Sequence, residues 1–170
     1  MSERKITKLL QKFLGNNVDV SFGGEFACIL GTGEITWGIG ESVVVNGTWA
    51  YRLWEDYGFE LTNENVFVLS ILHEAGHYMT EDDFSEDEWE VEIARKATIE
   101  KEMTRDNFWD KNQEYYLLPT EKAATDWAIE AFRSHKPEMR KWCHRLNCAI
   151  KHYEKKTGKV VFERFHIDKD

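Results

Sequence analysis

The chain has 170 residues, 42% hydrophobic and 31% charged, which suits a single domain spanning 1–170 with one sizeable core. A formal net charge of −9 argues against a nucleic-acid surface, because phosphate contacts need clustered Lys and Arg. No run nears the roughly 18 apolar residues of a membrane span, so the expectation is a cytoplasmic protein with no membrane partner and with Cys28, Cys143 and Cys148 as free thiols.

In chain order, Ile6, Leu9, Leu10, Phe13 and Leu14 recur at helical spacing, and Gly15 supplies a stop. This basic amphipathic helix is expected to dock on its own domain. Residues 18–46 change texture to β-branched and aromatic residues punctuated by glycine. The runs Val18–Phe22, Phe26–Leu30, Glu34–Ile39 and Ser42–Val45 predict three or four short strands. Turns are expected at Gly23-Gly24, at Asn46-Gly47 and at Gly31-Thr32-Gly33, the last a hairpin turn rather than half of a dinucleotide loop.

Beyond Asn46 the pattern is helical. A short helix is expected from Thr48 to Tyr57. A stronger one, capped by Thr62 or Asn63, runs through Val66, Leu69, Leu72 and Met79. Residues 81–92 carry eight acids and give way to Arg95, Lys96 and Lys101, which predicts a solvated helix of about 20 residues aligned with its own dipole. Its acids are also candidates for a rim that selects basic substrates. Pro119 opens a helix to about Ser134, Pro137 another to about Lys156, and 159–165 reads as a terminal strand. The fold class expected is α+β, an N-terminal helix and small antiparallel or mixed sheet followed by a mainly helical core.

Chemistry concentrates in His73-Glu74-Ala75-Gly76-His77. Residues four apart on a helix differ by about 40° in azimuth, so His73 and His77 can grip one cation. Glu74, about 100° round, is placed to take a proton from a water on that cation. The apolar run 66–72 would bury these imidazoles, and buried imidazoles need a polar partner.

A zinc site calls for a third protein ligand and leaves its fourth position to water. Glu121 stands out, three residues before Ala124 on the apolar stripe Ala124, Trp127, Ala128 and Ala131, where a buried carboxylate needs a counter-charge. Thr125, four residues on, faces the same region. His135 competes as third ligand from a helix-to-helix junction. Cys143, His144 and Cys148 cannot converge on one helix, because residues five apart point about 140° from each other. An oxyanion donor is also required; Tyr115, Tyr116, Tyr78 and His135 are the candidates.

The segments Leu72–His77 and Leu118–Ala128 together resemble the gluzincin zinc metallopeptidases, and among them the compact ImmA/IrrE-type family. In that family's second helix the Glu is followed at i+3 by Ala, at i+6 by an aromatic and at i+7 by Ala, here Glu121, Ala124, Trp127 and Ala128. The resemblance implies a zincin-like core, Zn2+ held by His73, His77 and Glu121, Glu74 as catalytic acid/base, and a sheet edge over the metal helix that takes up a polypeptide. It also implies a setting among phage or mobile-element proteins. The chain departs from the pattern at Thr125, where Asn or Asp is usual, and in a longer gap between the two motifs. Residues 134–139 bear a weaker similarity to SprT-like metallopeptidases, whose third ligand is a His. The expected function is an intracellular zinc-dependent peptidase. The alternatives are a zinc-stabilised regulatory module acting through a protein partner, and a hydrolase of non-peptide amides.

Overall fold

The computed structural model describes residues 3–24, 26–38 and 47–161, and within them the chain is α+β. Helix α1 (Glu3–Leu14) ends at Gly15 and buries Ile6 and Leu10. Three strands follow: β1 (Asp19–Gly24), β2 (Ala27–Ile29) and β3 (Glu34–Gly38). Their order is β1-β3-β2, with β1 parallel and β2 antiparallel to the central β3, so the sheet is mixed. Gly31 (φ 75°) and Gly33 (φ 67°) close the β2–β3 hairpin in the left-handed conformation that glycine adopts at no steric cost.

The helical remainder comprises α2 (Gly47–Tyr57), α3 (Val66–Met79), a 3-10 turn at Glu81–Asp83, α4 (Glu86–Glu102), α5 (Phe108–Tyr116), α6 (Pro119–Ser134) and α7 (Lys136–Thr157). Helix α3 is apolar nearly all round and lies at the centre, packed against α6, α7, β2 and β3. Helix α1 does dock on its own domain, against β1 and α7. Its Gln11 side chain clamps the connection to β1, donating to the carbonyls of Gly15 and Val18 at 2.7 Å and accepting from the Val20 amide at 2.8 Å. No helix among the described residues is long and apolar enough to cross a membrane.

Several expectations need correction. Asn65, not Thr62 or Asn63, stands at the N-cap of α3, and its side chain makes no capping bond there. Thr62 works one turn earlier. Its amide donates to Asn65 Oδ1 (2.7 Å) and its hydroxyl accepts from the Asn65 amide (3.3 Å), closing a reciprocal box ahead of the helix. Thr104 and Asn107 repeat this box ahead of α5. That helix was not expected, because Phe108–Tyr116 has no apolar stripe and buries only Asn112.

The acidic stretch is not one helix. Ser85 interrupts it and opens α4 through a capping box with Glu88. Nor is it all solvated, since Glu92 is buried. Gly23 and Gly24 end β1 rather than follow it. Of the expected terminal strand, 159–161 is not extended sheet and 162–165 lies outside the described residues, as does Ser42–Val45.

Candidate metal centre

The site begins with a close helix crossing. A Cβ on Gly76 would lie 2.5 Å from the Ala124 carbonyl oxygen and 2.9 Å from its Cα, so only glycine lets α3 and α6 approach this closely. Glu121 lies three residues before Ala124, so the same contact carries its carboxylate up against the imidazoles. His73 and His77 stand one turn apart with ring centroids 4.8 Å apart and planes at 80°. Glu121 Oε2 is 3.1 Å from His73 Nε2, and Oε1 is 3.5 Å from His77 Nε2. A tetrahedral zinc with ligand bonds near 2.0–2.1 Å spaces its donors about 3.3 Å apart, close to the separation of each imidazole from its nearest Glu121 oxygen. All three ligand atoms lie within 4.8 Å of one another.

Burial sharpens the electrostatics. Glu121 is 3% exposed, which by itself would push its carboxyl up, but hydrogen bonds from His73 and His77 outweigh this and hold it well below the usual carboxylate range. Thr125 Oγ1 lies 3.2 Å from His73 Nδ1. Thr125 is thus placed to accept a proton from Nδ1 whenever Nε2 gives its lone pair to a cation. Trp49 from α2 sets its ring edge-on to His73 at 5.6 Å, closing the site's apolar side.

Helix α4 supplies the last wall. Lys96 Nζ donates to Glu121 Oε1 at 2.6 Å and to Thr120 Oγ1 at 3.2 Å, and lies 5.7 Å from the centre of the Tyr115 ring. The buried Glu92 carboxylate accepts from the Thr120 amide and hydroxyl, capping the start of α6 from another helix.

Glu74 is half-buried. Its charge helps to raise the Cys28 thiol on β2 and the Tyr115 hydroxyl on α5. Burial first, then the charge of Glu121 and a hydrogen bond with it, push the Tyr115 hydroxyl above its ordinary value and keep it a neutral donor.

Thus the structure brings together His73, His77 and Glu121 with Thr125 beside them, and leaves His135 out. His135 sits exposed at the α6–α7 junction, with Nδ1 3.2 Å from the Ala131 carbonyl and about 20 Å of helix between it and Glu121. Tyr116 stacks on Trp49, and Tyr78 packs under Gly33. Cys143 is buried and Cys148 exposed. Among the described residues no other three metal-binding side chains converge.

Sequence reasoning missed Lys96, Glu92 and Trp49. A Glu-Lys pair four residues apart in a charged stretch reads as an ordinary surface pair, and only the fold turns it inward. In comparisons with known proteins the chain matches no family model, no curated protein and no solved structure.

Proposed function

We propose that this chain is a zinc-dependent metallopeptidase, cytoplasmic, acting on a polypeptide substrate. The observation that carries the reading is the buried Glu121 carboxylate. It arrives from 48 residues away at hydrogen-bond distance from His73, completing a two-His, one-Glu donor set beside Glu74. That set is the one zinc hydrolases use with an open fourth position. Zinc held there would supply Lewis acidity, polarising a carbonyl and acidifying a water.

The chain's own residues then have defined tasks. Glu74 takes the proton of the attacking water and passes it to the departing amine. Tyr115 donates a hydrogen bond to the oxygen on which negative charge develops. Thr125 fixes the ring of His73. Strand β2, an edge of the described sheet lying on α3, offers its free side to an extended polypeptide.

The test is cleavage of a casein or peptide library by the zinc-loaded protein and its Glu74→Gln variant. The reading expects the wild type to cleave, and the variant to lose cleavage while keeping one zinc. Partner binding that survives Glu74→Gln, without any cleavage by the wild type, would favour a zinc-stabilised regulatory module instead.

A further inference from the structure

Glu121 presents a problem whenever the metal is absent. A carboxylate 3% exposed has almost no water to solvate it, and a buried charge is costly unless it is paired and hydrogen-bonded. The structure holds a cation in place for it. Lys96 Nζ lies 2.6 Å from Oε1, on the side toward Thr120, and its stem is largely covered. The ammonium is itself held, donating to Thr120 Oγ1, lying 3.6 Å from Glu92 Oε1 and resting over the Tyr115 ring. Glu92 in turn is fixed by the Thr120 amide and hydroxyl. Helix α4, the charged segment that lengthens the gap between the two motifs, therefore delivers a ready-made counter-charge to the ligand carboxylate.

We infer that Lys96 is a resident counter-cation for Glu121: it keeps the ligand set folded and aligned in the metal-free protein, and it opposes the metal by like charge when the site fills. This rests on the metal-site reading above. Two consequences follow that ordinary packing would not give. Removing the ammonium hurts the metal-free protein far more than the zinc-loaded one, because zinc supplies the missing positive charge. By linkage, the same variant binds zinc more tightly, not more loosely. A lysine that merely aimed the carboxylate would do the opposite, since lost outer-shell partners usually weaken metal affinity about 10–100-fold.

The experiment compares wild type, Lys96→Met and Lys96→Arg in thermal melts without and with zinc, and in zinc affinity by chelator competition. For Lys96→Met the melting temperature is expected to fall by about 5–10 °C without metal and by about half that or less with it. Zinc affinity is expected to rise at least about tenfold, and Lys96→Arg, which keeps the charge, to stay close to wild type. A Lys96→Met protein that folds only with zinc supports the inference in its extreme form. Equal losses in both states, failure to fold even with zinc, or unchanged or weaker affinity overturns it. A wild type that binds no zinc would instead overturn the metal reading itself, so the two failures are distinguishable.

Discussion

Thr125 contacts one nitrogen of His73 while Glu121 contacts the other. Its hydroxyl, 3.2 Å from Nδ1, can accept that ring's proton once a cation takes Nε2, and Trp49 packs against the same ring. Thr125→Val keeps the shape and removes the acceptor, and zinc affinity measured by chelator competition is expected to weaken about 10–100-fold. Tyr115→Phe leaves the ring beside Lys96 but removes the donor, so kcat measured at saturating zinc is expected to fall about 100-fold or more. The thiols give a readout independent of activity. Burial, followed by the charges of Glu74 and Glu81, pushes Cys28 up to about 11, and burial does the same for Cys143. At pH 8 only about 0.1% of either is thiolate, so iodoacetamide is expected to modify exposed Cys148 first, with the Cys28 rate climbing about tenfold per pH unit toward 11. Of the cluster, the three side chains that converge were legible because spacing speaks to them: His73 and His77 by the helical turn, Glu121 by its place on an apolar stripe. Lys96 and Glu92 were not, since whether a charged pair faces water or a neighbouring helix is decided by packing that no local pattern encodes.

Among elements, the α3–α6 crossing matters most. Gly76 and Ala124 are its contact point, and a methyl at Gly76 would run into α6 backbone, which cannot step aside as a flexible side chain can. Gly76→Ala is expected to cost about 1–3 kcal/mol or more in urea denaturation and to lower zinc affinity, because separating the helices pulls Glu121 from the histidines. Helices opened by proline, α6 and α7, were legible to within a residue or so, since that residue suits the first turn and little else in a helix. Helix α5 was not, because its signal is the Thr104-Asn107 box rather than an apolar period. The parallel pairing of β1 with β3 was equally hidden, as strand order is a long-range property that glycine-punctuated runs leave open.

At the scale of the whole molecule, α1 ties the two ends of the described chain together. It packs on β1 and α7, and Tyr153 donates to Glu3 at 2.8 Å across 150 residues of sequence. Core residues from α1, the sheet, α3 and α7 form one continuous cluster. Urea unfolding is therefore expected in a single transition. Zinc at a hundredfold excess over its dissociation constant should add about 2.7 kcal/mol. Elemental analysis of the purified protein beside Glu121→Ala and His135→Ala tests the central claim most directly. One zinc per chain in the wild type and in His135→Ala, with loss confined to Glu121→Ala, is the expected result. Zinc retained in full by Glu121→Ala, or a wild type that holds none when supplied with it, would contradict the account.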